Sequence, residues 1–131
     1  MFQLTTEAID HAELRRAVST PHAGAVVSFE GTVRNHHQGR SVLRLEYEAH
    51  VPVAEKEGAW IVADAVDRFG LDAAVAVHRV GKLEMEDAAV MVVVSSPHRA
   101  EAFKACLLII DESLPSPLGA VAATNNAVSR E

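Results

Sequence analysis

The chain is poor in cysteine, in positive charge and in long apolar runs, and each shortage removes a class of function. Cys106 is the single cysteine among 131 residues. No intrachain disulfide and no cysteine metal cluster can form, and a reducing cytoplasm is the expected compartment. Twelve Lys and Arg stand against 18 Asp and Glu, giving a net charge of −6. That balance argues against general binding of nucleic acid or of anionic membranes, which needs a cationic surplus. The apolar stretches are strand-sized, too short to span a bilayer. The segment Met1 to Glu7 has neither a basic region nor a long apolar run, so no signal peptide is expected there. No serine elbow and no glycine-rich nucleotide loop occurs. The seven histidines show no His-x-His or His-Glu-x-x-His spacing, and no metal site is expected. Lysine is absent after Lys104.

What is present is enough for one core. Hydrophobic residues make up 49% of the sequence, and the length suits one domain, expected over 1–114, with a loosely ordered tail over 115–131. Phe2 to Ile9 reads as a strand. Asp10 is placed to cap a helix running to about Val18, with Glu13 as its reciprocal partner. Gly24 to Gly31 reads as a buried strand and Arg34 to Arg40 as a loop. Leu43 to Ala49 alternates as a half-buried strand. Pro52 opens a helix whose Gly58, Ile61, Val62, Ala65, Val66 and Phe69 share a face, and Gly70 ends it. Ala73 to Val80 and Ala88 to Ser95 are strands joined through the acidic Glu84, Glu86 and Asp87, a solvated hairpin end. Ser96 is expected to cap a third helix, with Pro97 at its first position and Phe103, Cys106, Leu107, Ile110 and Leu114 as its apolar stripe. Cys106 reads as a small buried hydrophobe, and His78 as a core or edge residue. The expected fold class is α+β: a mixed, mostly antiparallel sheet with about three packed helices.

Two short basic segments stand at strand ends. One is Gly31-Thr32-Val33-Arg34-Asn35-His36; the other is Ser96-Pro97-His98-Arg99. If Ser96 caps the third helix, His98 and Arg99 lie in its first turn, where free backbone N–H groups and the helix dipole favour an anion. A guanidinium beside them completes a phosphate site. Arg34 could supply a second arm, provided the two segments converge on one cavity. The alternative is that Arg99 pairs with a surface carboxylate such as Glu101 or Glu30, and that the 34–40 charges form a solvated turn.

These segments, with Leu45-Glu46-Tyr47-Glu48-Ala49, Ala54-Glu55-Lys56-Glu57 and His78-Arg79-Val80-Gly81-Lys82-Leu83, occur in an order and spacing that resembles the molybdopterin synthase large (catalytic) subunit family from about residue 20 to 111. The resemblance implies an α/β hammerhead fold and a homodimer of large subunits within a heterotetramer. It implies that each large subunit binds a small ubiquitin-like sulfur carrier. Sulfur would pass from the carrier's C-terminal thiocarboxylate to cyclic pyranopterin monophosphate, forming the dithiolene of molybdopterin without metal or other cofactor. Thr32, Val33 and Arg34 match one substrate-contacting segment of the family, and His98 and Arg99 match another. Arg34 and Arg99 would orient the phosphate and offset developing charge; His98 would assist proton movement.

One stretch departs from the family pattern. The family carries a catalytic lysine, then a segment with proline, tryptophan and a second, substrate-contacting lysine. Here Asp111 to Gly119 holds no lysine and no tryptophan. Lys104 lies about two helical turns earlier, a displacement of roughly 10 Å. Three explanations stay open: a synthase that takes the missing groups from another chain, an impaired homologue that serves as a pterin- or carrier-binding module, or an altered C-terminal reading frame.

Overall fold

The computed structural model describes residues 1–33, 36–37, 40–41, 44–47, 51–113 and 120–123, with side chains over 1–33 and 52–113. Its elements run β1 (Phe2–Thr5), α1 (His11–Ala17), β2 (Ala25–Thr32), β3 (His36–His37), β4 (Arg40–Ser41), β5 (Arg44–Tyr47), α2 (Val51–Phe69), β6 (Ala73–Arg79), β7 (Gly81–Glu84), β8 (Ala88–Ser96), α3 (Arg99–Ser113) and β9 (Ala120–Ala123). The main sheet has the order β1-β6-β8-β2. β1 runs parallel to β6, whereas β6 with β8 and β8 with β2 are antiparallel. A mixed, mostly antiparallel sheet with three helices is the α+β architecture expected from the sequence.

β6 and β8 are central strands covered on both faces, so they read as near-continuous apolar runs. One face carries Ala74, Ala76, Val90, Val92 and Val94, which pack against Val62 and Ala65 of α2 and Ala102, Ala105, Cys106 and Ile109 of α3. The other face carries Val75, Val77, Met91 and Val93, covered by Leu14 and Val18 around α1. Each fully buried Val or Ile here stabilises the fold by about 1.5–3 kcal/mol before entropy is counted.

Local signals explain the helix ends. The Asp10 carboxylate accepts from the backbone N–H of Ala12 at 3.0 Å and of Glu13 at 3.3 Å, capping α1 as expected. Gly70 adopts φ +61° just past α2, where a side chain would be strained.

The structure corrects four expectations. The 34–40 segment holds a short β3–β4 pairing, His36 with Ser41 and His37 with Arg40, where a loop was expected. Gly81–Glu84 is a strand, β7, pairing with β5 in a second sheet of order β7-β5-β9. Ala120–Ala123 is a strand on the other side of β5, although no element was expected after Leu114. The α3 stripe is also rotated: Phe103 and Leu107 are 62% and 57% exposed, while Ala102, Ala105 and Ile109 are buried. α3 is apolar on several faces, and the close approach of the sheet selects the small alanines over the larger Phe and Leu.

Candidate functional site

The second basic segment follows directly from β8. Ser96 is fully buried and stays in the ladder opposite Ala25. Its carbonyl accepts from Gly24 N–H at 3.0 Å, and its hydroxyl accepts from His98 N–H at 3.2 Å. Ser96 is therefore the last residue of a strand and not the helix cap. The cap position falls to His98, whose carbonyl accepts from Ala102 N–H at 3.3 Å, and Pro97 precedes it. Arg99 is the first helical residue. Both His98 and Arg99 are exposed. Among the described residues Arg99 forms no ion pair with Glu101 or Glu30. The first turn of α3, like any helix start, leaves backbone N–H groups without intrahelical partners.

Gly24 fixes this corner. A Cβ built on Gly24 would lie 2.5 Å from the Pro97 carbonyl oxygen, so only glycine allows β2 to start this close to the α3 entrance. Gly24 also lines a hollow of about 430 Å³ that holds His11, Arg15 and Ser28. The sequence reading missed His11 and Arg15 because their only visible pattern was the helical one of α1.

The first basic segment sits elsewhere. Thr32 is exposed and ends β2; Val33 is 2% exposed and packs with Leu83 and Ala89. Arg34 lies outside the described residues. In the antiparallel ladder Ala25 faces Ser96 whereas Thr32 faces Ala88. Seven residues at about 3.3 Å each put the Thr32–Val33 end roughly 23 Å from the Ser96 end. One chain therefore does not bring Thr32 and Val33 together with His98 and Arg99.

Other candidate groups resolve simply. Cys106 is buried, and burial pushes its thiol up to about 11, so it is protonated and inert at neutral pH. His78 is 1% exposed and lies in the core, with its pKa lowered to about 4 by burial, opposed by a backbone hydrogen bond at Arg79. Lys56, Lys82 and Lys104 are all exposed, and Lys56 lines a cleft of about 730 Å³ with Glu57, Trp60, Ile61 and Glu112. No helix among the described residues is long and apolar enough to cross a membrane.

The chain is similar to known proteins over most of its length. The MoaE protein family matches residues 4–113. A molybdopterin synthase catalytic subunit of Thermoplasma volcanium is 43% identical over 83% of this chain and 80% of its own length. Molybdopterin synthase catalytic subunit 1 of Mycobacterium tuberculosis is 40% identical over 86% of this chain and 79% of its own. The crystal structure of molybdopterin synthase from Staphylococcus aureus superimposes with a TM-score of 0.83 at 35% identity, covering 92% of this chain and 87% of that one.

Proposed function

The chain belongs to the MoaE family, and from that membership we propose that it works in molybdenum cofactor biosynthesis as the large subunit of a molybdopterin synthase, moving sulfur from a thiocarboxylated small subunit to cyclic pyranopterin monophosphate. The observation that carries this reading is the exposed amino end of α3. There His98 and Arg99 are exposed on a corner locked by Gly24 and Ser96, at a helix start whose first backbone N–H groups have no intrahelical partner. Such an end suits the phosphate of the pterin. Arg99 grips that phosphate, His98 relays a proton beside it, and Thr32, Val33 and Arg34 contact the same substrate.

The separation of the two segments supports a site built between two protomers. With about 23 Å between the ends of the β2–β8 ladder, a pocket using both takes Thr32–Arg34 from one copy and His98–Arg99 from the other. Two-fold symmetry then generates two such pockets per homodimer. The absence of lysine after Lys104 bears on turnover, since an amine near the thiocarboxylate activates it.

A reconstitution assay tests both points. The protein is mixed with thiocarboxylated carrier and pyranopterin, and dithiolene is measured. Arg34→Ala and Arg99→Ala homodimers are each expected to be impaired. After subunit exchange the mixture should regain about a quarter of the activity, because half the dimers carry one intact pocket. No regain would place the whole pocket in one chain. If the unmodified protein forms no dithiolene but binds carrier, and Leu114→Lys restores product, the scaffold is intact and only the amine is missing. Absence of both carrier and pterin binding would overturn the assignment.

A further inference from the structure

The turn after β7 does more than connect two strands. The Asp87 carboxylate accepts from Glu84 N–H at 2.8 Å and meets the Arg79 guanidinium at 3.4 Å through the same oxygen, Oδ2. The Asp87 backbone carbonyl accepts from Val33 N–H at 3.0 Å, and Glu86 N–H donates to the Val33 carbonyl at 2.8 Å. Both polar groups of Val33 are thus tied to this one turn. The Val33 carbonyl belongs to the peptide bond that leads into position 34, and that bond is planar. Holding the carbonyl therefore sets the direction in which the chain leaves Val33.

Two further features converge on the same place. The β2–β8 register shifts between Gly31 and Thr32, so that Ala89 has no partner in the ladder. Such a bulge turns the strand locally and redirects its side chains. Beneath it, Val33, Leu83 and Ala89 form a small buried cluster. Glu86 holds φ +72°, a conformation that a non-glycine residue keeps only where its surroundings fix it.

We propose that Asp87, braced by Arg79, is a positioning residue that fixes the Val33 peptide and so sets the direction in which the chain leaves Thr32–Val33 in the pterin-contacting segment. The inference rests on the functional reading above, in which that segment contacts substrate. Asp87 itself touches no substrate. Removing its carboxylate loosens the 84–87 turn and frees the Val33 peptide, so the direction in which the chain leaves Val33 is no longer held.

The test is a double-mutant cycle read by direct titration of the full chain with cyclic pyranopterin monophosphate. Asp87→Ala is expected to weaken pterin binding by about tenfold, and to add little in an Arg34→Ala background, because both changes remove one interaction. Asp87→Asn keeps an acceptor for Glu84 N–H and should recover part of the affinity, while Arg79→Ala should reproduce the loss. Carrier binding should change by less than about twofold in every variant. Equal losses with Arg34 intact and with Arg34 replaced would overturn the positioning role, as would unchanged affinity in a folded Asp87→Ala protein. If Asp87→Ala fails to fold, the Asn and Arg79 variants carry the same cycle. An Arg34→Ala protein that binds pterin normally would instead defeat the functional reading of that segment.

Discussion

The phenyl ring of Phe2 lies directly against the α-carbon of Gly58, in the space a methyl group would need. β1 is thereby seated on α2 while pairing with β6, Phe2 opposite Ala76. In an ordinary helix interior alanine is about 1 kcal/mol better than glycine. Here the gain is offset by a clash. We predict that Gly58→Ala destabilises the protein by about 1–2 kcal/mol in urea unfolding. In a Phe2→Leu background the same substitution should become neutral or stabilising. A stabilising Gly58→Ala with Phe2 in place would show that the ring moves aside at no cost.

Much of the fold could be read from local chemistry. Asp10, Gly70 and the double-sided apolar runs of β6 and β8 each carry a signal set by their own neighbours. What could not be read depends on distant partners. β7 is four residues, Gly-Lys-Leu-Glu, and becomes a strand because Arg44–Tyr47 lies beside it. α3 offers apolar residues on competing faces, and only the sheet decides that Ala105 goes in while Phe103 stays out. The two basic segments of the candidate site stand out in the sequence, but their placement does not. The antiparallel register of β2 on β8 sends them to opposite ends, and no local pattern encodes that pairing. Asp87 looked like part of a solvated acidic turn because its role lies in contacts to Arg79 and Val33.

Glu86 offers a second test of backbone strain. Its φ of +72° costs a residue with a Cβ about 1–2 kcal/mol. Glycine removes that cost but gains freedom in the unfolded chain, so the net benefit is smaller. Glu86→Gly is expected to stabilise the protein by about 0.5–1 kcal/mol, measured by thermal or urea unfolding. A loss of stability would mean that the Glu86 side chain makes a compensating contact.

His78 links stability to pH. Burial lowers its pKa to about 4, below the ordinary 6.5. The unfolded chain therefore takes up a proton more readily than the folded one. Its contribution is fully present above pH 6.5 and declines as pH falls from 6.5 toward 4. The loss across that window is at most about 3 kcal/mol. Urea unfolding at pH 7 and pH 5 should show a clear fall for the unmodified protein and a shallower one for His78→Gln. Parallel profiles would show that carboxylates elsewhere, and not this imidazole, govern the acid limb.

The α3 entrance makes the sharpest claim about ligand binding, because two unrelated substitutions should converge on it. Arg99→Ala removes a charge-assisted hydrogen bond and is expected to weaken pyranopterin binding by about 1.5–3 kcal/mol. Arg99→Lys should recover only part of this, since an ammonium lacks the planar fork. Gly24→Ala alters no charged group. Its new methyl would stand 2.5 Å from the Pro97 carbonyl oxygen, forcing the Pro97–His98 backbone away from β2 and carrying Arg99 with it. Pterin affinity should fall, and the fall should shrink sharply in an Arg99→Ala background, since neighbouring changes that act on one interaction do not add. A Gly24→Ala protein with normal affinity would mean that the guanidinium reaches its ligand regardless of how the corner is held. An undiminished effect without Arg99 would shift the phosphate toward His11 and Arg15, which share the adjoining hollow with Gly24.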